Sequence, residues 1–157
     1  MRRALHLLVP LILLTACSGA PSATSGPGSS SATAEVVVRT DAGERSLSVR
    51  IADSEAERER GLMGVGDLPA DDGMAFVFDG PVTSTFWMKD TQIPLAIAFV
   101  GEDGHILTIT EMTPCRTDPC PTYAADGPYT LAVEANAGWF GANGVGVGDE
   151  ALLLEGS

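Results

Sequence analysis

Leu95-Ala96-Ile97-Ala98-Phe99-Val100, followed by the turn Gly101-Glu102-Asp103-Gly104 and then by Ile106-Leu107-Thr108-Ile109-Thr110, is the stretch that decides the fold class. A short, uniformly apolar run of this kind has the length of a strand buried on both faces, so residues 95–100 are expected near the middle of a sheet. The glycine-flanked acidic turn folds the chain back into a second strand rich in β-branched side chains. Working outward, Val36-Val37-Val38 and the alternating Leu47, Val49 and Ile51 form a hairpin through Asp41-Ala42-Gly43. Further strands are predicted at 76–78, 85–88, 129–133 and 151–154. Ser54 with Glu57 is a capping-box signature, opening a short helix that carries Arg58 and Arg60 and stops near Gly61. Its Glu55/Arg58 and Glu57/Arg60 spacings suit a solvated face. A second short helix is expected near 135–140, and the glycine-rich run 144–148, with no phosphate-binding lysine, reads as a turn. Many short strands with two short helices define a mostly β, α+β domain, a compact barrel- or sandwich-like antiparallel or mixed sheet.

The amino terminus is organised differently. Met1-Arg2-Arg3 precedes a short apolar stretch and then Leu14-Thr15-Ala16-Cys17. A membrane span needs about 20 apolar residues, so this is a signal segment. The last four residues match the bacterial lipobox, in which a peptidase cuts before a lipidated cysteine. Residues 18–33 contain only Ser, Gly, Ala, Pro and Thr and have nothing to bury, so they are predicted to be a disordered tether. A chain of that length spans on the order of 20–25 Å, enough to lift a domain off lipid headgroups. Three segments result: a signal peptide at 1–16, lipidated Cys17 with its tether at 17–33, and one β-rich domain at 34–157. With 157 residues and 45% hydrophobic composition, one domain with a real core is the expected count.

The whole chain carries nine Lys+Arg against 21 Asp+Glu, a formal charge of −12, and loss of Arg2 and Arg3 with the leader makes it −14. Nucleic acid is thereby excluded as an expected partner, since phosphate binding needs clustered cations and this chain has a single lysine, Lys89. With Cys17 lipidated, Cys115 and Cys120 remain as a pair in an oxidising exported compartment, and a disulfide is expected. Closing so short a loop would contribute roughly 2 kcal/mol on the chain-entropy view. The rival readings are a metal site, short of ligands with His105 as the one further candidate, and a redox pair, which normally uses a tighter Cys-x-x-Cys spacing.

Several blocks resemble the family known as domain of unknown function 192. They are Arg60-Gly61-Leu62-Met63, Gly73-Met74 with Phe76 and Phe78, Phe86-Trp87-Met88-Lys89-Asp90-Thr91 with Pro94-Leu95, Cys120-Pro121-Thr122-Tyr123, Val133-Glu134 with Ala137-Gly138-Trp139, and Gly148-Asp149. The resemblance runs from about 36 to 154 and implies a β-rich, often exported domain with no assigned activity. Two positions depart from the family pattern: Asp90 stands where Asn is usual, and Ala96 where Asp usually follows Pro-Leu. Any role of that second carboxylate is absent here.

No nucleophile elbow, phosphate loop or dinucleotide fingerprint is present, and no cofactor or metal is expected. His105, beside a turn, reads as a surface residue. Asp90 and Glu134 are the one carboxylate pair singled out for acid–base work. The most suggestive cluster is 86–91, where strand geometry puts Trp87 and Lys89 on one face and Phe86 and Met88 on the other. In one reading Trp87 and Lys89, with Asp90, Tyr123 and Glu134, form a ligand face for a glycan, peptide or anionic small molecule. In the other, Trp87 is core and Lys89 pairs with Glu134. Met63, Met74 and Trp139 read as core.

Anchor and tether are plain while catalytic grammar is missing, which favours a membrane-anchored envelope binding or accessory module over an enzyme. The alternatives are a carboxylate-using envelope hydrolase and a structural or assembly lipoprotein. Replacing Cys17 by Ala should leave an uncleaved precursor and abolish incorporation of labelled palmitate. A lipid-free mature wild-type chain beginning at another residue would remove the lipoprotein reading.

Overall fold

A computed structural model of the chain describes residues 33–155. The expected signal segment, Cys17 and all but the end of the tether lie outside the described residues. The hairpin forms as expected: β1 (Thr33–Thr40) pairs antiparallel with β2 (Gly43–Ala52), with Thr40 opposite Gly43 at the turn. Helix α1 (Glu55–Arg60) follows, with the full capping box between Ser54 and Glu57 and no buried residue. Its Glu/Arg spacings produce no ion pairs among the described residues. Arg58 instead donates to the Asp53 and Val77 carbonyls and lies 5.0 Å from the Phe78 ring centre.

The chain then runs through β3 (Asp72–Val82), β4 (Phe86–Trp87), β5 (Leu95–Val100) and β6 (Ile106–Met112). After them come β7 (Thr122–Tyr123), β8 (Tyr129–Asn136), α2 (Trp139–Ala142) and β9 (Glu150–Glu155). Seven strands make one mixed sheet in the order β6-β5-β8-β3-β2-β1-β9, while β4 and β7 form a separate two-stranded ribbon. Only β2 and β3 are parallel, because α1 and the loop after it carry the chain back along the sheet before β3 begins. The sheet curls until its edge strands meet near one end. There the Ile106 amide donates to the Asp149 carbonyl at 2.9 Å and the Ala151 amide to the Gly104 carbonyl at 2.8 Å. Of the two expected forms, this is the barrel-like one.

Curling encloses one apolar face as a closed core of Val36, Val38, Leu47, Val49, Ala98 and Val133, lidded by Trp139 and Phe140 of α2. The opposite face carries Met74, Phe76, Leu95, Ile97, Phe99 and Ala132, and loops cover it with Leu62, Met88 and Met112. Every residue of β5 is buried, as its uninterrupted apolar run requires. Trp139 and Met74 are core residues, as read.

Two segments differ from expectation. The predicted helix at 135–140 starts only at Trp139, because Ala135 and Asn136 are still paired in the sheet, opposite Ala96 and Leu95, and Gly138 turns the chain with φ 80°. The predicted strand at 85–88 shrinks to Phe86–Trp87, since it pairs with the equally short β7 outside the main sheet. Cys115 and Cys120 are joined in a disulfide, with Cα atoms 5.8 Å apart.

Gly73 on β3 sits where β2 and β8 press closest. A Cβ there would collide with the Glu134 carbonyl oxygen and come 2.8 Å from Leu47 Cδ2. Gly73→Ala should therefore cost about 1–3 kcal/mol through overpacking. Urea denaturation of the full chain measures this, and an unchanged midpoint would contradict the packing described.

Candidate functional site

Phe86 decides how β4 is presented. Its ring packs edge-on against Phe76 at 4.9 Å and Phe99 at 5.6 Å, within an aromatic cluster that includes Tyr129. The buried Tyr129 hydroxyl donates to the Ser84 carbonyl at 2.9 Å and fixes the approach to β4. With Phe86 held inward, the alternation of a strand turns Trp87 outward. Trp87 is 48% exposed, and Lys89 Nζ lies 5.4 Å from its ring centre. The core reading of Trp87 is thus overturned. Lys89 is exposed and makes no ion pair with Glu134, because the cation has swung over the indole.

Glu134 lies on β8 between Met74 of β3 and Ile97 of β5, two apolar neighbours in the cross-strand row. It is 4% exposed, and its carboxyl has no hydrogen-bond or ionic partner among the described residues. Burial alone pushes this acid from the usual 4.5 up to about 8. At neutral pH it is a protonated donor.

The carboxyl is not sealed in. It reaches a slot of about 30 Å³ beneath Trp87, bordered by Arg60, Leu62, Met63, Phe86 and Thr91. Wider hollows adjoin it on both sides. One of about 320 Å³ continues along Trp87, Phe86 and Arg58 toward Ser84. The other, of about 250 Å³, shares Arg60 and Met63 with the slot and adds Arg50 and Met74. Because neighbouring hollows share lining side chains, they form one groove across the loop-covered face, with Glu134 at its narrowest point.

The remaining predicted face residues hold this groove from behind. Asp90 adopts φ 56°, a left-handed conformation that Asn and Asp tolerate best, so the Asn-to-Asp departure keeps the backbone geometry. Its carbonyl accepts from the Gly64 amide at 3.0 Å, tying the loop after α1 to the segment after β4. Asp90 is exposed and does not border the slot, so the Asp90/Glu134 carboxylate pair is not assembled. Tyr123, half-buried opposite Phe86, accepts the Thr113 amide on its hydroxyl at 3.2 Å. Cys115 donates its amide to the Met88 carbonyl at 3.1 Å, and the disulfide returns the chain to β7 beside β4.

Elsewhere, His105 is a half-exposed surface residue 3.6 Å from Asp103, as read from sequence. Ala96 is fully buried in the closed core, on the opposite face of β5 from Ile97 and hence from Glu134. Among the described residues no cluster of three or more His, Cys, Asp or Glu is placed to hold a metal ion. Sequence reasoning missed Arg60, Leu62, Met63 and Thr91 as slot residues. The signal was present in the Arg60-Gly61-Leu62-Met63 block. Gly61, at φ 45° with Phe76 3.3 Å from where its Cβ would be, drops Leu62 onto the sheet.

Fold and site together define a small curled-sheet domain with an aromatic-lipped groove on its loop-covered face. The chain belongs to the DUF192 family, described as "Uncharacterized ACR", which matches residues 36–153. A candidate transcription regulator from Sinorhizobium meliloti 1021 is similar at 31% identity and a TM-score of 0.72, covering 78% of this chain and 94% of its own. A protein of unknown function from Novosphingobium aromaticivorans DSM 12444 is similar at 31% identity and a TM-score of 0.74, covering 81% and 89%. No curated protein matches.

The buried acid makes a sign-specific prediction. Unfolded, Glu134 ionises near 4.5, and folded, near 8, so between these values the folded state holds the extra proton. Stability should therefore fall as pH rises through that window and level off above it. Relative to Glu134→Gln, which cannot ionise, the wild type should lose on the order of 3 kcal/mol between about pH 5 and pH 8. Urea denaturation of both proteins at both pH values checks this, and parallel pH profiles would refute the buried-acid assignment.

Proposed function

We propose that the protein is a lipid-anchored binding module of the bacterial cell envelope, holding its ligand across Trp87. The observation that carries this reading is the exposed indole with Lys89 over its ring, at the lip of a groove. An indole so displayed gives up burial that would otherwise stabilise the fold, and it offers a flat apolar surface with a polar edge. Sugar rings and peptide side chains stack on such a surface, and the neighbouring cation suits an acidic or polar substituent. The lipobox at Leu14-Thr15-Ala16-Cys17 and the tether support the address. Several acyl chains on Cys17 would hold the protein stably where one would not.

A carboxylate-using hydrolase is the second reading, favoured by one observation: Glu134 carries a proton at neutral pH and opens into the groove. General-acid chemistry on a glycoside also needs a second carboxylate several ångströms away, and Glu59 is the acid that borders the slot. Glu59 has no base or nucleophile role supported by its surroundings, so binding takes precedence.

Trp87→Ala and Lys89→Met remove the proposed face without touching either core. Both variants should melt within a few degrees of the wild type and lose the calorimetric binding response to cell-wall glycan fragments or peptides. Truncating a buried Trp typically costs about 3–5 kcal/mol, so a collapse in melting temperature would return Trp87 to the core and reject the binding face. Full ligand response in both variants would reject it equally.

A further inference from the structure

We propose that the slot beneath Trp87 is an acetamido subsite, taking the N-acetyl group of an amino sugar whose ring lies on the indole. This deepens the binding reading and rests on it. A volume of about 30 Å³ holds about two water-sized groups, so no sugar ring enters. One small substituent does. The walls are chemically divided: Leu62, Met63 and Phe86 offer apolar contact, while Glu134 and Thr91 offer polar atoms. An acetamido group divides the same way, into a methyl, a carbonyl oxygen and an N–H.

Glu134 is the informative wall. Its carboxyl is more than nine-tenths buried, has no partner, and faces the slot, so a ligand oxygen arriving there meets an unused O–H donor. A carbonyl oxygen accepts that hydrogen bond, whereas a bare methyl leaves the donor unsatisfied at a cost. Thr91 is 6% exposed, and its hydroxyl donates to the Lys89 carbonyl at 3.5 Å, leaving oxygen lone pairs for the amide N–H. The ring, kept outside by the slot's size, meets Trp87 at the lip. The hollows on either side leave room for neighbouring sugar units of an N-acetylated chain.

The arrangement is proton-dependent. The charged groups bordering the slot are Arg58, Glu59 and Arg60 of α1, with Lys89 and Asp90 exposed on the segment after β4. The sheet strands flanking Glu134 contribute uncharged Met74 and Ile97. Glu134 alone among these is buried, open only to the slot, and burial holds its proton to about pH 8. Above that, a carboxylate would face the ligand carbonyl and repel it.

The test uses the full chain in detergent, titrated with tri-N-acetylchitotriose and with cellotriose, which lacks the acetamido groups, and is read by isothermal titration calorimetry. At about pH 6 the acetylated trimer should bind at least about tenfold more tightly, and at about pH 9 the wild type should lose that preference. Glu134→Gln, which keeps a neutral donor, should retain the preference at both pH values. Equal affinities at pH 6, both abolished by Trp87→Ala, would overturn the acetamido subsite and leave the binding face intact. No response to either trimer overturns the subsite, while a response to envelope peptides that needs Trp87 would still uphold the face. The wild-type pH comparison needs no variant, and an undiminished preference at pH 9 overturns the role given to Glu134.

Discussion

A sheet that is apolar on both faces has to be covered twice, and the rest of this structure follows from how a chain of this size does so. One face is covered by curvature: β6 and β9 are drawn together by backbone hydrogen bonds between 104–106 and 148–151, and the inner side chains close on one another. That solution leaves only the two-residue strands of the β4–β7 ribbon, the short helix α1 and the connecting loops for the outer face. Loops have to serve, and loops carry polar backbone and irregular shape. The groove lies where their cover is incomplete.

Strand β8 shows the consequence at single-residue resolution. Leu131, Val133 and Ala135 point into the closed core, while Ala132 and Glu134 point to the loop-covered face. An ionisable group on the closed side would be stranded among packed methyl groups. On the loop side it keeps a narrow path to the groove, and its cost is met by keeping the proton rather than by finding an ion partner. The elements that build its surroundings are pinned at backbone level, through the Gly64 amide to Asp90, the Cys115 amide to Met88 and the Tyr129 hydroxyl to Ser84.

The same cover explains Trp87. In a two-residue strand only one side chain can insert, and the cluster of Phe76, Phe99 and Tyr129 accommodates Phe86. Trp87 is left at the lip, where Lys89 shields one side of the ring. Its exposure is a geometric result of Phe86 being the better fit inside.

Local chemistry in the chain determined a good deal. The apolar run 95–100 dictated a strand buried on both sides, Ser54 and Glu57 dictated the start of α1, and Cys115 and Cys120 were close enough along the chain to bond. The alternation through 86–89 placed Trp87 with Lys89 and Phe86 with Met88. These are short-range facts, set by backbone periodicity and capping. What only the tertiary structure decided was which of two apolar faces would be enclosed. That choice set whether Trp87 is core or lip, whether Glu134 meets Lys89 or opens into the slot, and whether Arg60, Leu62 and Met63 belong to a solvated helix end or to a site. Such outcomes depend on residues far apart in sequence competing for the same surface, as Leu62 and Phe86 do over β3, β8 and β5, and no local pattern encodes the result of that competition.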